Sequence, residues 1–232
     1  MSTGTAVRPP ARVRTYHLRR GRLSGRHHAA LDLLWPAYGV EVAEAPGSPL
    51  DVAGLFGRHA RLVLEIGSGM GEATVEMAAA DPGRDYLAVE VYLPGIASLL
   101  AEVAARGLTN VRLARGDALD LLRHQLAPGS LDAVHAFFPD PWPKARHHKR
   151  RLVQPAHVEL LGSRLASGGT LHCATDCAAY AEAMLETLGA DHRWRNAYDG
   201  FAPRPAHRPP TKFERQGVEA GRTVFDLVFR RD

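Results

Sequence analysis

The sequence predicts an α/β protein: a mostly parallel sheet covered by helices on both faces, with an antiparallel strand at the C-terminal end. Three observations carry this. Short apolar runs alternate with amphipathic ones from residue 61 onward. A glycine-rich turn joins the first such run to its helix. An acidic residue stands at the end of each of five successive strands. Strand–helix–strand alternation makes a parallel sheet, because parallel neighbours need a crossover connection.

Residues 61–67, "RLVLEIG", are apolar, short and ended by glycine, as a buried strand should be. A helix follows over 72–80, then a strand over 85–91. "LPGIASLLAEVAARG" (93–107) reads as a helix closed by Gly107. Strands are expected over 111–117, 131–139 and 169–176. Between them lie a short helix in 118–126 and a helix in 154–167 that stops before Gly168-Gly169. A helix over 177–189 follows, and "RTVFDLVFRR" (222–231) alternates polar and apolar, as an edge or antiparallel strand does. Upstream, residues 1–25 are polar and Arg-rich. "HHAALDLLWPAYGV" reads as a short helix stopped at Pro36, and 41–58 resembles a linker.

The chain of 232 residues is 45% hydrophobic, enough for one good-sized core. No apolar run approaches the roughly 20 residues of a membrane helix, and the N-terminus has no apolar h-region. Cys173 and Cys177 are spaced C-x-x-x-C, which suits neither a thioredoxin-like pair nor a zinc knuckle; packing is the expected role. A cytoplasmic location follows as the default. The net charge of +4 says less than its distribution. The first 31 residues hold seven arginines and no acid, and Lys144 to Arg151 form a second basic block. Two such blocks suggest a polyanionic partner.

In open α/β sheets, ligands bind at the carboxyl ends of the strands. Those ends carry Glu65, Glu90, Asp117, Asp140 and Asp176. Asp117 and Asp176 have a plain alternative as helix N-caps. Gly67, Gly69 and Gly71 give G-x-G-x-G, but Glu72 stands where a dinucleotide fingerprint has Gly or Ala. A carboxylate there would repel a pyrophosphate. S-adenosylmethionine (SAM) has no phosphate, and acids suit it. Glu65 would favour its cationic methionine end, Glu90 would accept both ribose hydroxyls, and Asp117 would accept the adenine amino group.

"FPDPWPKARHHKRR" (138–151) restricts the backbone around one acid. Pro139, Pro141 and Pro143 limit their own φ and the residues before them. Trp142 has two readings, packing the loop or stacking a base. Lys144, Arg146, Lys149, Arg150 and Arg151 suit a phosphate backbone, and His147 and His148 read as RNA-facing or solvated rather than metal ligands. In "RPPTKFERQG" (208–217), Thr211 and Glu214 spell either a helix capping box or a substrate clamp.

These stretches, with "LEIGSGMGEATVEMA", resemble the bacterial tRNA (guanine-N7)-methyltransferase family from about Arg14 to the end. The resemblance implies a Rossmann-like class I SAM-dependent methyltransferase fold with a seven-stranded sheet over 59–232, preceded by a basic arm and short helix over 1–58. It implies methyl transfer from SAM to N7 of guanine 46 in the tRNA variable loop, with no metal. By resemblance, Glu65, Gly67, Gly69, Glu90, Asp117 and Asp140 bind SAM, and Asp140 is the catalytic residue. Lys144, Asp176, Thr211, Lys212, Phe213 and Glu214 bind the substrate; Arg146, His147, His148, Lys149, Arg150 and Arg151 bind RNA. The expected partner is tRNA, with no membrane and no obligatory protein partner, the chain being a monomer or homodimer. Competing readings are an exocyclic-amine RNA methyltransferase, a non-catalytic SAM-binding RNA-binding protein and a nicotinamide-dependent oxidoreductase. Glu72 and the basic blocks argue against the last.

Overall fold

The computed structural model describes residues 13–17 and 21–232. Most of the arginine-rich arm, residues 1–12 and 18–20, lies outside the described residues. In chain order the elements are α1 (Gly25–Tyr38), β1 (Gly39–Glu41), α2 (Val52–Phe56), β2 (Arg61–Ile66), α3 (Glu72–Ala80), β3 (Arg84–Glu90), α4 (Leu93–Ala105) and β4 (Val111–Arg115). There follow α5 (Ala118–Asp120) with a π-helical turn (Leu121–Gln125), β5 (Leu131–Phe137), a 3-10 turn (Ala145–Arg150) and α6 (Pro155–Arg164). The chain ends with β6 (Leu165–Thr175), α7 (Ala178–Gly189), β7 (Trp194–Asn196), α8 (Lys212–Glu219) and β8 (Phe225–Arg231).

The strands form one sheet in the order β1-β4-β3-β2-β5-β6-β8-β7. Neighbours from β1 to β6 are parallel, and β8 runs antiparallel between β6 and β7. Strand order reverses at β2, which pairs with β3 on one side and β5 on the other. Such a switch point opens a crevice at the strand ends.

Alternation along each strand divides two apolar layers. Leu62, Leu64 and Ile66 pack into a cluster with α5, α6 and α7; Val63 packs into another with α3 and α4. Burial on both faces explains why β2 reads as a continuous apolar run rather than an alternating one. Cys173 is fully buried, and burial pushes its thiol pKa up to about 12.

Four expectations change. The sheet has eight strands among the described residues rather than seven, because Gly39–Glu41 pairs with Gly39↔Leu113 register beside β4. Second, α1 runs through Pro36 to Tyr38: proline forgoes the bond an N–H would make to the carbonyl four residues back, the helix ends two residues later, and Gly39 N–H closes on the Trp35 carbonyl. Third, the helix ends at Arg164 rather than at residue 167 and β6 begins at Leu165 rather than at Gly169, so Gly168-Gly169 lies inside the strand. Leu165 already pairs with Leu131, and a register shift before Ala133↔Thr170 absorbs the glycines. Fourth, residues 41–58 are more than a linker. Leu50, Val52 and Leu55 pack on one apolar layer, while Leu31, Leu34 and Trp35 of α1 pack on the other.

Candidate functional site

The loop after β2 turns back sharply and is held by its own amides: Gly67 N–H donates to the Val89 carbonyl and Gly71 N–H to the Ser68 carbonyl, each at 2.9 Å. Gly69 has φ +58°, and its N–H donates to Glu90 Oε2 at 2.8 Å. Gly71 has φ +86° at the start of α3, where an added Cβ would lie 2.6 Å from Leu99. A side chain there would be both strained and overlapping.

A cavity of about 450 Å³ opens where strand order reverses. Glu65, Glu90 and Asp140 line it, together with the glycine loop, and Thr211, Lys212 and Phe213 close one side. The rim acids therefore part company. Asp117 caps α5, its Oδ1 accepting from Leu119 N–H at 2.9 Å, and its neighbours Gly116 and Ala118 line the cavity instead. Asp176 pairs with Arg222 at 3.0 Å and is outside the cavity lining.

Glu65 is 3% exposed and accepts from Thr74 Oγ1 at 2.5 Å. Burial, with Glu90 nearby, raises its pKa to about 7 despite that hydrogen bond. A buried carboxylate in this state gains from any cation that enters the cavity. Glu90 is held differently. Its Oε1 accepts from Val91 N–H at 2.6 Å and Tyr92 N–H at 2.9 Å, while Oε2 takes Gly69 N–H. Three backbone donors fix the carboxylate and leave fewer lone pairs for a diol than a bare carboxylate would offer. Two carboxylates that accept hydrogen bonds and carry negative charge fit a cationic, phosphate-free nucleoside such as SAM.

The loop after β5 is strained on both sides of its acid. Phe138 has φ +52° and Trp142 φ +44°, conformations that cost roughly 1–3 kcal/mol each for non-glycine residues. Tertiary contacts hold them. Phe138 meets Phe213 edge-on at 5.2 Å. Trp142 is 3% exposed, donates from Nε1 to the Thr15 carbonyl at 3.2 Å, and stacks on His17 at 3.8 Å. The packing reading of Trp142 is the one the geometry supports. Asp140 Oδ2 accepts from His17 N–H at 2.7 Å. Residues 15–17 thus form a strap over the cavity, a contact between positions 123 residues apart that no sequence pattern signals.

Two further expectations need correction. Arg151 does not face outward with its neighbours. It is 7% exposed, donates from Nε to the Pro141 carbonyl at 3.0 Å, and covers the Tyr180 ring at 4.7 Å. Lys144, Arg146, His148 and Lys149 are exposed; His147 is half-buried against the Trp142 edge, and Arg150 is half-buried over the Trp142 ring. Glu214 is 5% exposed, and both its oxygens accept from Arg208, at 2.6 and 3.0 Å. Its carboxylate is taken up by Arg208, and it is outside the cavity lining. Half of the capping box forms: Thr211 Oγ1 accepts from Glu214 N–H at 3.2 Å, while the Glu214 side chain is drawn to Arg208 instead of returning. Lys212 N–H donates to Glu72 Oε2 at 2.6 Å, which ties α8 to the start of α3.

Arg208 is the site residue that sequence reasoning missed. Its guanidinium, 2% exposed, bridges Glu214 to Asp226, with Nε and Nη2 donating at 2.7 and 2.8 Å. The signal was its place at the head of "RPPTKFE".

A family model described as "Putative methyltransferase" matches residues 59–227. A tRNA (guanine-N(7)-)-methyltransferase of Halorhodospira halophila is 53% identical over 95% of this chain and 96% of its own length. One of Paraburkholderia xenovorans is 52% identical over 95% of this chain and 84% of its own. Among solved structures, the 16S rRNA methyltransferase KamB aligns with TM-score 0.58 at 16% identity, covering 82% of this chain and 98% of that one. TrmN from Thermus thermophilus aligns with TM-score 0.54 at 16% identity, covering 89% of this chain and 48% of that one. At such identities the structural matches concern the fold.

Proposed function

The chain belongs to the family of SAM-dependent tRNA (guanine-N7)-methyltransferases, and from that premise we propose that it methylates N7 of guanine 46 in the tRNA variable loop. The observation that carries the residue assignment is the convergence of Glu65, Glu90 and Asp140, the last flanked by strained Phe138 and Trp142, on one cavity. When bound, SAM supplies an electrophilic methyl group on a cationic sulfur. Glu65, buried and poised to ionise, stabilises that cation. Glu90, rigid in its amide cradle, accepts from the ribose. Gly67 and Gly69 bring backbone close to the same ligand, and Asp117 acts by shaping the wall beside the adenine.

Guanine N7 carries a lone pair and no proton, so no general base is required. Alignment of nitrogen, methyl carbon and sulfur is the task left to the protein, and positioning alone can supply a large rate factor. Asp140 orients the base by accepting from its N1–H/N2–H edge. As positive charge reaches the purine, the same fixed carboxylate stabilises it. The strap holds Oδ2, leaving Oδ1 for the base. Thr211, Lys212 and Phe213 form the facing wall, and Glu214 positions them through Arg208. Asp176, paired with Arg222, braces the rim near the substrate. Exposed Lys144, Arg146, His148 and Lys149, with half-buried His147 and Arg150 beside them, take the RNA backbone. A tRNA substrate makes the cytoplasm the expected compartment.

The test is methyl transfer from radiolabelled SAM to unmodified tRNA transcripts, then strand cleavage selective for N7-methylguanosine. Cleavage in the variable loop is expected; label without it would move the target to another atom. Asp140→Asn should slow single-turnover methyl transfer far more than it weakens SAM binding. An unchanged rate would remove Asp140 from the chemistry.

A further inference from the structure

Away from the cavity, three histidines from distant parts of the chain meet on the α3/α4 face of the sheet. His135 of β5 lies directly across from His172 of β6 in the parallel register. His207 comes from the loop that precedes α8. One potential ligand atom from each lies within 4.8 Å of the other two. His135 and His172 are 4% and 1% exposed, while His207 is open to solvent. The methyl-transfer reading uses none of them.

Hydrogen bonding within the protein accounts for two of the three rings. His172 Nε2 is 2.7 Å from Asp226 Oδ1, which makes it the donor and leaves Nδ1 as an acceptor facing His207 Nε2 at 3.1 Å. His135 is left over. Its Nδ1 is buried without a hydrogen-bond partner, in a ring stacked between Phe137 and His207. Buried polar atoms of this kind call for an unseen partner.

The geometry points to a divalent transition-metal site, best suited to zinc, ligated by His135, His172 and His207. Three imidazoles are a known donor set for this ion, with a fourth position left for water. Zn–N bonds of about 2.0–2.1 Å put tetrahedral ligand atoms roughly 3.3 Å apart, and the His172–His207 separation of 3.1 Å is already close to that. Asp226 supplies the outer support such sites use. It accepts from the far nitrogen of His172, fixing the tautomer that presents Nδ1 and adding negative charge behind it. Exposed His207 gives the ion a way in from solvent.

The ion would anchor the loop holding Arg208. Asp226 binds both His172 and Arg208, and Arg208 holds Glu214 at the start of α8. Metal binding thereby steadies the wall that carries Thr211, Lys212 and Phe213. Phe137, which lines the cavity, is also stacked on His135.

The experiment uses the untagged, full-length chain, stripped by a chelator and then titrated with zinc or cobalt(II). One zinc per chain should be retained after dialysis. Cobalt should develop the intense visible bands of a four- or five-coordinate ion. Zinc at about a hundredfold excess over Kd should raise Tm by about 5–10 °C. His207→Ala, an exposed loop change, should abolish all three effects, whereas His148→Ala should leave them intact. A stripped chain that retains no zinc, a cobalt spectrum of the hexaaqua type, or His207→Ala binding as wild type would each overturn the site. Neither SAM nor tRNA enters the readout, so the result is independent of the methyl-transfer assignment.

Discussion

Replacing Glu65 by Gln tests how the cavity attracts a cation. Burial raises the Glu65 pKa from 4.5 to about 7, so the native state keeps a proton there that the unfolded chain releases. A raised acid stabilises the fold below the unfolded value and loses that contribution as pH climbs toward the folded one. At roughly 1.4 kcal/mol per pK unit, ionised Glu65 costs the ligand-free protein about 3 kcal/mol above pH 7. A cation in the cavity recovers part of this by favouring the carboxylate. If the bound state requires ionised Glu65, the competent fraction is about 0.9 at pH 8 and about 0.1 at pH 6, so SAM affinity falls about tenfold. Calorimetric titration across that range reads the change, and protons released on binding appear when buffers of different ionisation enthalpy are compared. Glu65→Gln serves as the reference, because it retains the titration of the ligand's own amino group. Thr74→Val should shift the inflection upward, since the Thr74 hydroxyl holds the pKa down. A wild-type to Glu65→Gln affinity ratio that stays flat from pH 6 to pH 8 would refute the reasoning.

Other residues give sharper contrasts. Arg208→Ala leaves Glu214 and Asp226 buried without their shared cation, and should cost about 3–5 kcal/mol by urea unfolding. Arg208→Lys should recover little, because an ammonium cannot make the paired bonds of the guanidinium fork. Glu214→Ala should weaken tRNA methylation without weakening SAM binding, through release of α8. In the basic segment, Arg146→Ala with Lys149→Ala should lower tRNA affinity and flatten its dependence on log salt by about one unit per lost phosphate contact. Arg151→Ala should do the reverse: a lower unfolding midpoint, with an unaltered salt slope.

Local pattern was enough for the parallel sheet, the glycine turn and the acid at each strand end, because apolar periodicity and glycine's access to positive φ are properties of short stretches. The same pattern could not assign those acids. Glu65 and Asp117 look alike in sequence, yet one is buried with a pKa near 7 and the other caps a short helix. What separates them is the cover each receives from distant chain, and desolvation depends on that cover. Arg151 was legible as a cation but not as a buried one, since Tyr180 and the Pro141 carbonyl reach it only after β5, β6 and α7 assemble. Trp142 and Asp140 were legible as a stiffened pair; the strap from Thr15 to His17 that holds them was not. The histidine cluster is the extreme case. Its members lie on two strands and a loop, and only the register of β5 against β6 and the return of the chain before α8 bring their nitrogens together. Sequence determines which groups each element presents and on which face. Tertiary structure decides which of them meet, and so which are charged, paired or left waiting for a ligand.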